Sequence, residues 1–211
     1  AACSLEHVVS NTGFKFRLEV FMPAPLANTP RWFDVMSVPS HRPPVDVATW
    51  LLDSGSLTER LVKASHGHFA VRVVWQGWGK PTQDEAQLLR LPHGQYAWLR
   101  ETALCCHGEP WVYARSVMPL TTLNGKLRFL QRLKNSSLGA LLFRDPELKR
   151  SRFQIAHMSL QDLPLARIGI VASENNIRVW GRRSLFRFYG KPILVGEIFL
   201  PTFKSKQSKG R

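Results

Sequence analysis

The sequence is poor in cysteine and lacks any long apolar run. Its three cysteines, Cys3, Cys105 and Cys106, are an odd number with two of them adjacent, so the sequence does not indicate a disulfide framework. This usage favours a reducing compartment. No stretch approaches the roughly 18 apolar residues that a membrane-spanning helix needs, and the start shows no charged-then-apolar signal pattern. We therefore expect a cytoplasmic protein without a transmembrane segment.

Motifs of the common hydrolases, redox enzymes and metalloenzymes are missing as well. GxSxG, CxxC and HExxH do not occur, and the glycine-rich GWGK at 77–80 lacks the spacing and the Ser or Thr of a phosphate-binding loop. His66 and His68 could point the same way, but no third metal ligand is placed near them. Cys106 and His107 are neighbours in a turn, which does not supply the separately oriented base of a thiolate nucleophile. We expect a site without metal or cofactor.

Acidic residues are scarce, with 15 Asp and Glu against 29 Lys and Arg, which gives a net charge of +14. Such a positive net charge is typical of proteins that bind nucleic acid, an anionic membrane surface or a small acidic substrate. Much of the excess is spread along the chain or lies in the tail at 204–211. Because no zinc finger, RNA-binding aromatic signature or basic zipper is present, we expect no specific nucleic-acid partner. A basic surface protein remains an alternative, and it would bind polyanions with a strong dependence on salt.

The chain has the length of one domain. Its 211 residues with 44% hydrophobic content are enough for a single core. Several predicted antiparallel strands, with helices grouped elsewhere, indicate an α+β fold. We expect an extension over 1–30, the domain over 31–203 and a basic flexible tail over 204–211. Nothing in the sequence requires more than a monomer.

The most informative stretch is a predicted β-hairpin over 96–118. His107-Gly108 between its two strands supplies the glycine that a tight turn needs. A loop centred there pairs residues whose numbers sum to 215, so Arg100 is expected opposite Arg115 on one face of the sheet. Facing like charges are unfavourable unless an anion lies near them. The pair therefore indicates either a carboxylate-binding site or two arginines on a solvated face.

Two predicted helices begin with capping residues. The segment SLTE at 56–59 has the form of a capping box, and NSS at 135–137 can cap a second helix that begins at Leu138. Backbone N–H groups in the first turn of a helix have no intrahelical partner and can bind an anion. The N–H groups near Leu57 and Leu138 are therefore candidate anion ligands, although most helix starts bind only water.

One carboxylate lies in an otherwise apolar strand. The predicted strand PILVGEIFL at 192–200 is apolar on both faces except for Glu197. A lone carboxylate there is costly to bury unless it is paired, hydrogen-bonded or protonated. Glu197 is therefore the best single candidate for chemistry or ligand contact. The alternative is a structural salt bridge to Arg182, Arg183 or Arg187.

Four segments together resemble one known family. They are WLLDSGSLTERL, YAWLRETALCCHGEPWVYARSVMPLTTL, SSLGALLF and VWGRRSLFRFYGKPILVGEIFLP, and they closely resemble chorismate pyruvate-lyase, the bacterial enzyme that makes 4-hydroxybenzoate for ubiquinone biosynthesis. The match runs in order over about 31–201. The resemblance implies a single domain with a six-stranded antiparallel sheet, helices that form flaps over an internal ligand site, and catalysis without a cofactor.

The resemblance also implies roles for four residues. Arg100 resembles the arginine that binds the ring carboxylate, assisted by the backbone amides of Leu57 and Leu138. Glu197 resembles the carboxylate that contacts the 4-oxygen, and we expect it to hydrogen-bond, or if kept protonated to donate a proton, near the departing oxygen. To these we add the hypothesis that Arg115 attracts the enolpyruvyl carboxylate of chorismate. A non-catalytic module for small acids, resembling the effector-binding domains of GntR-type regulators, is the alternative function.

Overall fold

One antiparallel sheet organises the chain. The computed structural model describes residues 30–35, 43–171 and 176–203, and within them eight strands form this sheet. The strands are β1 (Phe33–Asp34), β2 (Phe69–Gly79), β3 (Ala97–Cys106), β4 (Glu109–Pro119), β5 (Lys149–Arg150), β6 (Gln154–Ser159), β7 (Arg178–Phe188) and β8 (Lys191–Phe199). The predicted tail at 204–211, and all but one residue of the predicted extension at 1–30, lie outside the described residues.

Short helices connect these strands. The α-helices of the described residues are α1 (Val45–Leu51), α2 (Leu57–Ala64), α3 (Gln83–Leu88), α4 (Leu138–Leu142) and α5 (Leu165–Ile168). Two 3-10 helices cover Gly125–Arg132 and Leu160–Asp162. No helix in this part of the chain is long and apolar enough to cross a membrane.

The strand order is β1-β6-β7-β8-β4-β3-β2, with β5 paired to β7 at its side. The chain forms a meander over β2, β3 and β4, and it later forms the β7–β8 hairpin. Pairing of β4 with β8 joins the two parts in the middle of the sheet. The predicted mixed α and β domain with a large antiparallel sheet is confirmed, but the expected number of six strands is wrong. Two strands of only two residues each, β1 and β5, add to the six longer ones.

The β3–β4 hairpin turns at the predicted place. His107 and Gly108 both have positive φ, 52° and 80°, as a two-residue hairpin turn requires. Next to the turn, Cys105 pairs with Pro110, in agreement with the expected sum of 215. Beyond it, Leu104 pairs with Val112, so the strands shift by one residue at a β-bulge.

This bulge changes which side chains face each other. Arg100 pairs with Ser116, and Arg115 pairs with Glu101. Because side chains alternate along a strand, a shift of one residue moves every later side chain of β4 to the other face. The prediction that Arg100 faces Arg115 is therefore wrong, and the two guanidinium groups lie on opposite faces of the sheet.

Helices cover both faces of the sheet. On the first face, α1 and α2 pack on the β2–β3–β4 meander, and α4 packs with the 3-10 helix Gly125–Arg132 on the ends of β4, β7 and β8. The second face carries α3, α5 and the 3-10 helix Leu160–Asp162. The two groups of helices on the first face do not close completely over the sheet. This gap is the place where a cavity forms.

Candidate active site

The cavity lies between the first face of the sheet and the N-terminal ends of α2 and α4. Its floor is formed by alternate residues of the four strands β3, β4, β8 and β7, and its cover includes Leu57, Leu138 and Gly139. Two rows of paired residues cross the sheet at the floor, and all of their members except Ser184 line the cavity. One row is Arg100, Ser116, Val195 and Ser184, and the other is Thr102, Ala114, Glu197 and Arg182. Most of the floor and cover is apolar or small, and its charged side chains are few.

Arg100 stands at the β3 end of this floor. It is only 2% exposed, and its guanidinium donates to Gln76 Oε1 at 2.7 Å, to the Lys134 carbonyl at 2.6 Å and to the Ser136 carbonyl at 3.0 Å. All three acceptors are neutral, and the described residues place no carboxylate within ion-pairing distance of it. Burial lowers the pKa of Arg100 to about 10, so it is still protonated at neutral pH. A buried cation without an anionic partner favours the binding of an anionic ligand.

The backbone N–H groups predicted to assist Arg100 are at the cavity. Leu57 is the first residue of α2 and Leu138 is the first residue of α4, and both line the cavity. Both helices have the predicted N-cap hydrogen bond, because Ser56 Oγ accepts from Glu59 N and Ser137 Oγ accepts from Ala140 N. First-turn amides have no partner within their own helix. The amides of Leu57 and Leu138 therefore stay candidate donors to a ligand in the cavity.

The two helix starts also contact each other. Thr58 Oγ1 and Ser137 Oγ lie 2.6 Å apart and share a hydrogen bond. Gly139 permits this approach, because a Cβ at that position would lie 3.2 Å from Thr58 Oγ1, closer than such contacts usually are. This one side-chain pair links α2 to α4 over the cavity.

Glu197 lies in the floor, next to the row of Arg100. Its Oε2 accepts a hydrogen bond from Arg182 Nε at 2.6 Å, so the predicted alternative of a salt bridge to Arg182 is present. The pairing does not remove the carboxylate from the cavity, since Glu197 still lines it and its side chain is 14% exposed. Among the described residues, no group donates to Oε1.

Arg115 does not line the cavity. It lies on the second face of the sheet, where Nε donates to Glu85 Oε1 at 2.8 Å and Nη1 donates to Glu101 Oε1 at 2.7 Å. These carboxylates outweigh the effect of burial and raise the pKa of Arg115 above its usual value. The charge of Arg115 is therefore already compensated, and our hypothesis that it attracts a substrate carboxylate is not supported by its position.

Two further arginines line the cavity, and sequence reasoning did not place them there. Arg182 was considered only as a salt-bridge partner, and Arg150 was not considered at all. Arg150 Nε donates to Ser184 Oγ at 3.1 Å, so its guanidinium is held at the β7 end of the floor. No local pattern marks Arg150, since it precedes the strand β6 in a basic segment whose position depends on pairing with β7.

No metal-binding site is evident at the cavity among the residues that the structure describes. Within the described ranges, no group of three or more His, Cys, Asp and Glu side chains is placed to hold a metal ion. His68 and His107 lie near the hairpin turn with their rings tilted and ring centroids 5.1 Å apart, and neither lines the cavity. The chemistry available at the cavity is that of guanidinium groups, backbone amides and one carboxylate.

A cavity lined by a buried guanidinium that has only neutral partners, on an antiparallel sheet with helices on both faces, is suited to a small organic anion. Comparison with known proteins makes this specific. The sequence model of the family described as chorismate lyase matches residues 29–209. The chain therefore belongs to the chorismate lyase family.

Individual relatives agree with this assignment. A probable chorismate pyruvate-lyase of Aromatoleum aromaticum is 39% identical over 166 residues, which are 78% of this chain and 89% of that protein. A probable chorismate pyruvate-lyase of Methylococcus capsulatus is 42% identical over 158 residues, 74% of this chain and 96% of that protein. Among solved structures, the PhnF C-terminal domain aligns with a TM-score of 0.51 and 18% identity, over 63% of this chain and 82% of that one. At this identity the structural likeness concerns the fold alone.

Proposed function

We propose that this protein is a lyase that converts chorismate to 4-hydroxybenzoate and pyruvate. Membership of the chorismate lyase family supports this, as do the names of relatives that are about 40% identical, such as the 41% identical probable chorismate pyruvate-lyase 2 of Pseudomonas entomophila. The observation that carries the proposal is Arg100, a buried guanidinium that faces the cavity and has only neutral partners. A carboxylate on a ring would complete its coordination.

The reaction needs no added reactant. Chorismate is a dianion with a carboxylate at ring carbon C1, a hydroxyl at C4 and an enolpyruvyl ether at C3. The C3–O bond breaks, and the electron pair of the C4–H bond forms the third double bond of the ring. The hydrogen lost from C4 is regained at the methylene carbon of the enolpyruvyl group, which leaves as pyruvate. Atoms and electrons balance without oxidant, reductant or cofactor, and the aromatic product supplies the driving force.

The main task of the protein is then to hold chorismate in a reactive geometry away from water. Arg100 binds the ring carboxylate through a charge-assisted hydrogen bond, and the amides of Leu57 and Leu138 donate to its other oxygen. These three donors lie on separate elements, β3, α2 and α4. A ligand that binds all three therefore ties the cover of the cavity to its floor.

Glu197 contacts the 4-oxygen of the ring. Arg182 holds Oε2, and Oε1 is then oriented to accept a hydrogen bond from the 4-hydroxyl. The hydrogen bond from the 4-hydroxyl to Oε1 strengthens as the ring becomes aromatic, because the hydroxyl then becomes more acidic. A hydrogen-bonding role needs no proton transfer to or from Glu197. The ion pair with Arg182 offsets the cost of burying a carboxylate in this apolar strand.

The helices α2 and α4 act as flaps over the ligand. Their N-terminal ends form the cover of the cavity, and the hydrogen bond between Thr58 and Ser137 is the side-chain link that joins them. Substrate enters and product leaves when this link opens. The same donors that bind the ring carboxylate would then slow the release of 4-hydroxybenzoate, which keeps that carboxylate.

The direct test is to mix the purified protein with chorismate and to follow 4-hydroxybenzoate and pyruvate by chromatography. We expect both products in equal amounts, with the rate unaffected by a chelator. If folded protein, freed of any bound product, gave no turnover, the proposal would fail. The alternative, a non-catalytic module for small acids, would then gain support from tight binding of 4-hydroxybenzoate without turnover.

The product is assigned to ubiquinone biosynthesis by the family resemblance. If this is its use, deletion of the gene should lower cellular ubiquinone, and added 4-hydroxybenzoate should restore it. Restoration by 4-hydroxybenzoate but not by pyruvate identifies the aromatic product as the one that matters. A ubiquinone level that is unchanged by the deletion would contradict this use.

A further inference from the structure

The charges that line the cavity do not cancel. Four charged side chains line it, Arg100, Arg150, Arg182 and Glu197. Arg182 and Glu197 form an ion pair at 2.6 Å, and Arg182 also donates to the carbonyls of Trp50 and Asp53. Arg182 is therefore satisfied by protein groups. Two positive charges remain, on Arg100 and Arg150, and this number matches the two carboxylates of a dianion.

Arg150 is held in place but has no anionic partner. Its guanidinium donates to Ser184 Oγ at 3.1 Å and to the Ser54 carbonyl at 3.2 Å. It also lies 4.1 Å from the ring centroid of Phe153 and 4.8 Å from that of Phe186. These aromatic faces fix its orientation and favour the cation.

The remaining N–H donors of Arg150 are available to a ligand. A guanidinium has five N–H groups, and Arg150 uses two of them in its hydrogen bonds to Ser184 Oγ and the Ser54 carbonyl. The described residues place no carboxylate within ion-pairing distance of Arg150. Burial lowers its pKa to about 10, so the group is still a cation at neutral pH. An anion in the cavity would satisfy both its charge and its free donors.

Arg100 and Arg150 stand at opposite ends of one row of the floor. Arg100 begins the row on β3, and Ser184, the hydrogen-bond partner of Arg150, ends it on β7. Three strand spacings separate the two ends, roughly 14 Å between backbones, and both long side chains reach inward from there. Glu197 lies between the ends, on β8 in the neighbouring row.

This order follows the order of groups in the proposed substrate. From one end to the other the cavity presents a cation, a carboxylate that accepts a hydrogen bond, and a second cation. Chorismate presents a ring carboxylate, a 4-hydroxyl on the far side of the ring, and a second carboxylate on the adjacent C3 ether. The 4-hydroxyl would meet Glu197 when the ring carboxylate meets Arg100, and the ether then extends toward β7.

We propose that Arg150 binds the enolpyruvyl carboxylate of chorismate, the function that the sequence pattern suggested for Arg115. This inference rests on the proposed lyase function, because it assigns a role to one part of that substrate. Arg150 orients the departing group and compensates its charge as the C3–O bond breaks. The product 4-hydroxybenzoate has no second carboxylate, so Arg150 contributes to the binding of substrate and not to the retention of product.

The test compares two stable ligands that differ only in the second carboxylate. They are 3-(carboxymethoxy)-4-hydroxybenzoate, which is a dianion, and 4-hydroxy-3-methoxybenzoate, which has a neutral ether in the same position. Neither can be aromatised further, so binding is measured by calorimetry without turnover. The variant is Arg150→Gln, and the matched control is Arg152→Gln, which removes the same charge from an exposed position two residues away.

We expect the unmodified protein and Arg152→Gln to bind the dianion at least tenfold more tightly than the neutral ether. Arg150→Gln should lose this preference, while its affinity for 4-hydroxy-3-methoxybenzoate and 4-hydroxybenzoate stays within about twofold, which also shows that the variant is folded. With chorismate, Arg150→Gln should raise KM by tenfold or more. An unchanged preference in Arg150→Gln, or an equal loss for all three ligands, would overturn the assignment.

Failure of the lyase proposal would look different. In that case the unmodified protein would not convert chorismate, whatever its ligand preference. If the protein preferred the dianion through Arg150 but did not convert chorismate, Arg150 would still bind the second carboxylate, and the protein would be a binding module. Turnover with no dependence on Arg150 would keep the lyase and remove this residue from the site.

Discussion

Arg182 donates its Nε–H to Glu197 Oε2 at 2.6 Å, across the β7–β8 pair in the floor of the cavity. The Arg182 side chain is 1% exposed, and its Nη1 donates to the carbonyls of Trp50 and Asp53, at 2.8 and 2.7 Å. These carbonyls belong to the end of α1 and to the segment that leads into α2. The Arg182 guanidinium therefore orients the Glu197 carboxylate, and it also holds the segment between α1 and α2 in place.

Arg100 should be required for both turnover and product affinity. Arg100→Gln removes a charge-assisted hydrogen bond to the ring carboxylate, worth about 1.5–3 kcal/mol, which corresponds to roughly 10- to 150-fold in affinity. Calorimetry with 4-hydroxybenzoate measures this loss directly, and Arg152→Gln serves as the control for net charge. Unchanged affinity and unchanged turnover in Arg100→Gln would contradict the assignment.

Glu197→Gln should slow turnover without preventing the binding of 4-hydroxybenzoate. The amide oxygen can still accept from Arg182 or from the ligand, so we expect the variant to fold and to bind 4-hydroxybenzoate. We expect kcat to fall by about tenfold or more, because a neutral amide stabilises the developing charge less well than a carboxylate. Full turnover by Glu197→Gln would rule out a proton-transfer role for this residue.

Glu197→Ala is the companion variant. Both variants remove the negative charge, but Glu197→Ala also removes the oxygen that accepts from Arg182 Nε, and loss of one partner of a buried ion pair costs about 3–5 kcal/mol. The free energy of unfolding, measured in urea, should therefore fall further in Glu197→Ala than in Glu197→Gln. Equal stability of the two variants would show that the hydrogen bond from Arg182 to residue 197 does not stabilise the floor.

Arg115 should matter for stability and not for the ligand. Arg115→Met leaves the Glu85 carboxylate without its cation and leaves Glu101 with only Arg167, 3.3 Å away, so we expect a loss of about 3–5 kcal/mol in the free energy of unfolding. The folded fraction should bind 4-hydroxybenzoate with unchanged affinity, because Arg115 lies on the other face of the sheet. A specific loss of affinity, with stability maintained, would restore Arg115 to the site.

The hydrogen bond between Thr58 and Ser137, at the starts of α2 and α4, should control product release. Thr58→Val removes the hydroxyl that bonds Ser137 and keeps the shape of the side chain. We expect 4-hydroxybenzoate to dissociate several-fold faster, as measured by stopped-flow displacement, with little change in the association rate. Thr49→Val is the matched control, because the Thr49 hydroxyl bonds only locally, to the Asp46 carbonyl. Equal dissociation rates in the two variants would argue against a role of this link in release.

Cys106 should make stability depend on pH in the alkaline range. Burial raises the pKa of the Cys106 thiol from 9.0 to about 11. Between these values the unfolded chain loses this proton while the folded protein keeps it. The contribution of the thiol is therefore complete below about pH 9, and it is lost as pH rises through about 11.

The measurement is urea unfolding at several pH values, with Cys106→Ala for comparison. Other groups titrate in the same range, so the informative quantity is the difference in unfolding free energy between the unmodified protein and the variant. This difference should shrink from pH 9 to pH 11, and any constant effect of the lost sulfur on packing should cancel. A difference that does not change with pH would contradict the prediction.

Local signals in the sequence were sufficient for several elements. The turn at His107-Gly108, the start of α2 after Ser56 and the start of α4 after Ser137 were all predicted, because turns and caps depend on residues that are neighbours in the chain. The leucines at 123, 127, 130 and 133 have the spacing of an amphipathic α-helix, whereas the structure has a 3-10 helix over Gly125–Arg132. The four leucines are nonetheless buried, since both helix types can bury one side.

The amino-acid sequence by itself determined the family, the hairpin and the presence of Arg100 and Glu197 in paired strands. The tertiary structure decided which charges meet. Trp111 is the extra residue of the bulge in β4, and it is 4% exposed and packs on Phe203 with centroids 5.7 Å apart. That packing joins segments about 90 residues apart, and no local pattern encodes the resulting shift of register. Arg115 thereby faces two carboxylates on the second face, while Arg150 reaches the cavity through the pairing of β5 with β7.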